Sequence, residues 1–199
     1  MSENVKRVPE PQPKFLPWFL KISLPLYIID QCTKWWVVFN MRPPSYEEGV
    51  HRIPVIDGVF WINRIHNQGM AWGIGNGSNW APLVFPVILT TALFGIMYFW
   101  KQGGFPTRLT RISAALIISG IIGNFTDRLF QGFFLEEYKD MDFFTRFTKG
   151  YVVDFLDFVI PVINYHYPSF NVADSCICIA AFLLIYSSLF CKEYKEKAI

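Results

Sequence analysis

At 199 residues, with 52% apolar and 18% aromatic side chains, the chain has the size of one domain and is too apolar for an ordinary soluble domain of that length. A mean hydropathy of +0.28 excludes a chain that is membrane throughout, so polar segments must separate the apolar ones. The net charge of +2 excludes little as a total, and its distribution along the chain is what carries information.

The chain begins with a charged, Pro-rich extension over 1–15. The first apolar run, 16–39, carries Asp30 and is followed by no small-residue cleavage site, which predicts a retained anchor in place of a removed signal peptide. Further apolar runs over 81–100, 109–130 and 172–191 each approach the ~20 residues needed to cross a bilayer. Four spans place 1–15, 101–108 and 192–199 on one side and 40–80 and 131–171 on the other. Counting Arg111, the first side holds nine Lys/Arg against four Glu and the remainder is net acidic, so the positive-inside rule predicts cytoplasmic termini. The expected fold is an all-α polytopic membrane protein, one membrane-embedded domain over 1–199 with four transmembrane helices.

Between the spans, HRIPVIDGVFWINRIHN within 40–80 alternates apolar and polar residues and predicts a small extracytoplasmic β-rich cradle, which then breaks into the Gly-rich GMAWGIGNGSN. The KQGGFPTR connection is short, so the second and third spans are expected to be antiparallel neighbours. Residues 131–150 mix phenylalanines with acids and bases, a composition suited to the lipid headgroup region or to a partly ordered surface loop, and hold nothing that looks catalytic. The four cysteines fall in apolar runs without a CxxC and read as small apolar fillers; no metal site, cofactor or nucleic-acid partner is expected. His51, His66 and His166 are scattered and read as solvent-side.

The polar residues of the spans form clusters. Asp30 and Lys34 in DQCTK are four apart, so a helix puts them on one face where they can neutralise each other; as a structural pair or as the brace of a site, they should point inward. Asn67, Gly69 and Gly73 in NQGMAWG combine an amide with glycines that permit close backbone approach. In SGIIGNFTDRLF, Gly120 and Gly123 allow tight helix contact, and Asn124, Asp127 and Arg128 arrive together at the extracytoplasmic edge, with Arg128 free to pair with Asp127. FNVADS opens the last span with Asn171 as a cap and Asp174 in its first turn, a pattern that by itself reads as a capping box. YVVDFLDF brings Asp154 to the same edge, with Asp157 a second carboxylate nearby.

A carboxylate at membrane depth is costly and by default functional. Asp174, at a helix N-terminus, is favoured as the anion, while a second carboxyl close to it has its ionisation opposed by like charge. Two carboxyls sharing one proton can activate water with the anion and protonate a carbonyl or leaving amine with the acid, as aspartic proteases do. On this physical argument Asp127 and Asp157 stay in contention beside Asp154 and Asp174.

DQCTK, NQGMAWG, GNFTDR, YVVDFLDF and FNVADS, in that order over nearly the whole chain, resemble the lipoprotein signal peptidase (signal peptidase II) family. The resemblance implies a metal-free aspartic endopeptidase of the bacterial inner membrane, with its site at the extracytoplasmic face. It would remove signal peptides from diacylglyceryl-modified prolipoproteins by cutting before the lipidated cysteine. It implies Asp154 and Asp174 as the catalytic dyad, with Asp30, Lys34, Asn67, Gly69, Asn124, Asp127, Arg128 and Asn171 in support. Globomycin-like peptides are the expected inhibitors, membrane lipids the surroundings and a monomer the expected state. The sequence departs from the family pattern in the long 131–149 insertion, in Met70 and Trp72, and in the length of its charged N-terminal extension. A proton-coupled transporter or a non-enzymatic membrane scaffold would also bury acids. Transport, however, needs a polar path across, and the acids other than Asp30 gather at one edge while the cytoplasmic halves of spans two to four are apolar.

Overall fold

The computed structural model describes residues 14–44, 51–69, 74–78 and 80–190. Most of the N-terminal extension, Met70, Trp72, Gly73 and the C-terminal residues from Cys191 onward lie outside the described residues. The first apolar run is helical but not uniform: α1 (Phe15–Trp18) passes through a π turn (Phe19–Ser23) into α2 (Leu24–Asn40). Pro25 lies just beyond the π turn and has no N–H to continue the α ladder, which accounts for the change of pitch there. The other runs form α3 (Ala81–Lys101), α4 (Arg108–Phe130) and α6 (Val172–Phe190), all close to the expected bounds. Among the described residues, three helices are long and apolar enough to cross a membrane; the 17-residue α2, with its buried charges, is not among them.

These helices are turned inside out relative to a soluble bundle. Val87, Phe94, Phe182 and Leu189 face outward, while Ser113, Ala114, Ala115, Ser119 and Ala180 are buried. Lipid accepts the large apolar side chains, and the small ones let backbones approach. At Gly120 an added Cβ would sit 2.5 Å from the Ala173 carbonyl oxygen, and at Gly123 2.5 Å from Asp30 Oδ2. Both glycines therefore serve the tight contact of α4 with α6 and α2 that the sequence predicts. Helix α4 starts on a capping box in which Thr107 and Thr110 exchange hydrogen bonds, and it packs against α3 across the short turn.

The β-rich cradle is an antiparallel sheet in the order β1 (Arg52–Ile56), β2 (Phe60–Asn67), β3 (Val152–Ile160), β4 (Tyr165–His166). The fold is therefore helical with a four-stranded sheet and not all-α. Half of that sheet comes from beyond 40–80, because YVVDFLDF is a strand. It reads as a nearly continuous apolar run because it is buried on both faces. Register sets Ile65 opposite Asp154 and Asn67 opposite Val152. Tyr151, Val153 and Phe155 pack with Val37 and Met41, which ties β3 to the C-terminal end of α2.

The 131–149 insertion folds as 3-10 turns (Gln131–Phe134, Glu136–Tyr138) and α5 (Phe143–Thr148), whose N-cap Asp142 accepts from the Thr145 N–H at 3.1 Å. A Cβ on Gly132 would collide with the Arg146 carbonyl oxygen, and one on Gly150 with that of Arg128. The excursion thus closes on its own base and returns the chain to the end of α4.

Candidate active site

Helix α2 delivers Asp30 and Lys34 to the interior, both fully buried. The Lys34 ammonium donates to three acceptors: Asp30 Oδ2 at 2.9 Å, Asp127 Oδ2 at 3.0 Å and Asn124 Oδ1 at 3.0 Å. That uses all three of its protons and sets one cation between two carboxyl groups. Asp30 Oδ1 accepts from the Ala173 N–H at 2.8 Å, Asp127 Oδ2 also accepts from the Val153 N–H at 3.0 Å, and Asp127 Oδ1 accepts from Gln31 Nε2 at 3.1 Å. One buried cluster therefore pins α2, α4, β3 and the start of α6 together.

Asn171 joins this cluster to the two candidate acids. Its Oδ1 accepts from the Asp174 N–H at 3.0 Å and its own N–H donates to Asp174 Oδ2 at 3.2 Å, the reciprocal capping pattern expected at the head of α6. Its Nδ2 donates to Asp154 Oδ1 at 2.7 Å. Asp154 Oδ2 accepts from Asn67 Nδ2 at 2.9 Å, and Asp174 Oδ1 from Asn124 Nδ2 at 2.8 Å. The capping reading of Asn171 holds, and the same cap aims the Asp174 carboxyl. Each of the four carboxyl oxygens of Asp154 and Asp174 accepts from a fixed donor. Burial in the first place, and then the Asp174 charge, push the Asp154 carboxyl up to about 7, against the pull of the Asn67 hydrogen bond.

Asp154 and Asp174 line one cavity of about 920 Å³ whose walls are mostly apolar, with Ile65, Phe158, Tyr167 and Ile177 among them. Asp154, Phe158 and Ile160 are even-numbered neighbours on β3 and face this cavity. Asp157 points to the other face, 3.3 Å from Arg52 Nε, and Asp127 is occupied by Lys34, so the two rivals left open by sequence are placed away from the cavity.

Arg128 departs from expectation. Its guanidinium donates to the carbonyls of Gln68 (3.1 Å) and Gly69 and lies 4.6 Å over the Phe85 ring, so it clamps the turn after β2 and does not pair with Asp127. That turn has room only for glycine at Gly69, where a Cβ would lie 2.4 Å from the Ile74 carbonyl oxygen, and Asn67 Oδ1 accepts the Gly69 N–H at 2.9 Å. His66 is also not solvent-side: it stacks on Tyr151 at 3.8 Å and accepts from Arg64 Nε at 3.0 Å. Its burial first and the Arg64 charge second push the imidazole down to about 3, which keeps it neutral. His51 and His166 are exposed as expected.

Gln31 was missed. Its Nε2 donates to Asp30, Asp127 and the Gly123 carbonyl, and the available signal was an amide in an apolar run beside Asp30. Among the described residues, no group of three or more His, Cys, Asp or Glu side chains is placed to hold a metal ion.

The fold corresponds to that of bacterial membrane enzymes. Two solved structures, each described as a bacterial membrane enzyme determined by the in meso method, resemble the chain with TM-scores of 0.69 and 0.67 at 27% and 26% identity. They match 89% and 91% of this chain and 91% and 98% of theirs. A family model described as Signal peptidase (SPase) II matches residues 22–190. Lipoprotein signal peptidases of Bacillus pumilus and Bacillus subtilis are 38% and 35% identical, over 84% and 90% of this chain and 90% and 97% of their own lengths. The chain belongs to the signal peptidase II family, which consists of aspartic peptidases.

Proposed function

We propose that the protein removes signal peptides from diacylglyceryl-modified prolipoproteins, cutting before the lipid-bearing cysteine, with Asp154 and Asp174 as its catalytic pair. The observation that carries this reading is that both carboxyls line a single apolar-walled cavity and are joined through Asn171. With one proton between them, the ionised carboxylate takes a proton from a water as its oxygen adds to the scissile carbonyl carbon. The protonated carboxyl gives its proton to the carbonyl oxygen. Collapse of the tetrahedral intermediate returns the carbonyl and moves a proton to the departing amine, leaving a new carboxylate on the signal peptide and a new N-terminus at the cysteine.

Asn67 and Asn124 support this arrangement by anchoring one oxygen of each acid, and Lys34, Asp30 and Asp127 by locking the helices that carry them. Arg128 and Gly69 shape the turn beside Asn67. In the accompanying topology, α1 through α2 is the fourth span, both termini are cytoplasmic, and the site opens at the extracytoplasmic face of the bacterial inner membrane. The protein is a monomer in this reading, and globomycin-like peptides occupy the cavity.

The test is cleavage of a purified lipidated prolipoprotein by Asp154→Asn and Asp174→Asn, with and without globomycin. Each substitution is expected to abolish cleavage while the protein still inserts. Full activity in either variant refutes the assignment.

A further inference from the structure

No residue of the 131–149 insertion lines the cavity of Asp154 and Asp174, yet its surface is not that of an ordinary polar loop. Phe143 is 72% exposed, Phe144 61%, Phe134 58% and Met141 54%. Contiguous exposed apolar surface on this scale marks an interface. Two observations indicate what covers it. The insertion begins where α4 ends, and Phe130, the last residue of that apolar helix, is itself exposed. The Phe134 ring also meets Trp35 of α2 edge-on at 4.7 Å, and Trp35 stacks on the outward-facing Phe39, while α5 packs against α3. The aromatic surface is therefore continuous with the outward face of α2 and adjoins α3, beside the end of α4.

Its charge excludes electrostatic adhesion to anionic lipid. The insertion carries Lys139, Arg146 and Lys149 against Glu136, Glu137, Asp140 and Asp142. Lys139 sits 3.4 Å from Glu136, and the other two cations lie over aromatic rings, Arg146 over Phe133 at 5.2 Å and Lys149 over Tyr138 at 5.1 Å. What remains is aromatic partitioning into the interface, where aromatic rings are favoured in any bilayer.

We propose that residues 131–149 form an interfacial anchor whose phenylalanines sit in the headgroup region of the bilayer beside α2 and α3. Because the excursion is clasped at Gly132 and Gly150, and β3 begins at Val152, the anchor also fixes the height of Asp154 relative to the membrane.

The experiment uses the full chain with Cys32, Cys176, Cys178 and Cys191 replaced by Ser and a single cysteine at position 143, 144 or 140. Each variant is labelled with an environment-sensitive fluorophore and reconstituted in phosphatidylcholine vesicles. Labels at 143 and 144 are expected to be quenched by a lipid carrying a nitroxide high on its acyl chain and protected from aqueous iodide, with the reverse at 140. Adding anionic lipid should change neither pattern. Labels at 143 and 144 that are as open to iodide as the label at 140 overturn the proposal. So does protection from both quenchers, which would mean a protein partner or a second copy. In a second arm, Phe143→Ser combined with Phe144→Ser is expected to raise KM for vesicle-embedded substrate and leave kcat in detergent unchanged; an equal loss of kcat in detergent refutes the effect on height. The quenching arm requires no catalysis, so it stands or falls separately from the proposed peptidase reaction.

Discussion

Asn171 does two jobs that can be separated by choice of substitution. Its Oδ1 caps α6 through the Asp174 N–H, and its Nδ2 holds Asp154 at 2.7 Å. Losing an N-cap costs about 1 kcal/mol, and in a chain of this size that lowers the midpoint by roughly 2–4 °C. A hydrogen bond to a charged group contributes about 1.5–3 kcal/mol, which sets a ceiling of roughly 10- to 150-fold on the rate lost when the donor is removed. Asn171→Ala loses both functions and is expected to fall in Tm and in kcat/KM. Asn171→Ser keeps an oxygen for the cap but has no amide to offer Asp154, so it should hold its Tm and lose rate as Asn171→Ala does. The assay pairs thermal unfolding in detergent with cleavage kinetics on a lipidated prolipoprotein. The Asn171 bond favours the ionised Asp154, so its loss should also move the alkaline limb of the pH–rate profile to higher pH. Wild-type kcat/KM in Asn171→Ser, or a Tm loss in Asn171→Ser as large as in Asn171→Ala, would refute the reasoning.

Lys34→Met leaves Asp30 and Asp127 buried without their cation and is expected to destabilise by about 3–5 kcal/mol in thermal unfolding. Adding Asp30→Asn and Asp127→Asn should recover much of that loss, because the remaining groups are then neutral; no recovery would show that Lys34 matters for packing alone. The raised Asp154 acid gives a pH-dependent stability. Its folded form holds a proton up to about 7, whereas the unfolded chain releases it near 3.8, so folding takes up a proton between those values and stability falls as pH rises through that window. Tm of Asp154→Asn minus Tm of wild type should therefore be larger at pH 8 than at pH 4, and an equal difference at both would contradict the buried, raised carboxyl. Kinetically, kcat/KM should fall as pH rises above about 7 and the shared proton is lost.

What could be read from sequence divides by range along the chain. The Asp30–Lys34 pair, the glycines of α4 and the Asn171–Asp174 cap are each set by three- or four-residue spacing on a helix, and each appears as the spacing predicts. The misreadings are all long-range. Arg128 adjoins Asp127 in sequence, but neighbouring helix positions point in different directions, so Asp127 turns inward to Lys34 and Arg128 reaches the carbonyls of Gln68 and Gly69. His66 reads as solvent-side in the sequence as one of three scattered histidines, and Tyr151, far along the chain, is what stacks on it. The strand VVDFLDF carried no alternation to announce it, since both of its faces are covered.

On the proposed mechanism, the charges of the interior bear on how the two acids can share one proton. Lys34 serves Asp30 and Asp127 together, so with both acids ionised Lys34 by itself leaves one negative charge uncancelled. Arg128 donates to the carbonyls of Gln68 and Gly69, and its charge still acts on Asp127, Asp154 and Asp174, so it offsets part of that excess. Ionising both cavity acids would add two negative charges whose direct hydrogen-bond donors are neutral amides, and amides can orient a carboxylate without cancelling its charge. Holding one proton on the pair is the least costly way to keep both acids in place. The asparagines orient the carboxyls, and burial together with the repulsion between the two acids favours one proton on the pair. On this argument a cation introduced beside the pair, such as Asn124→Lys, should lower activity even with both aspartates in position, because it would allow both to ionise; an active Asn124→Lys enzyme with an unchanged pH profile would contradict it.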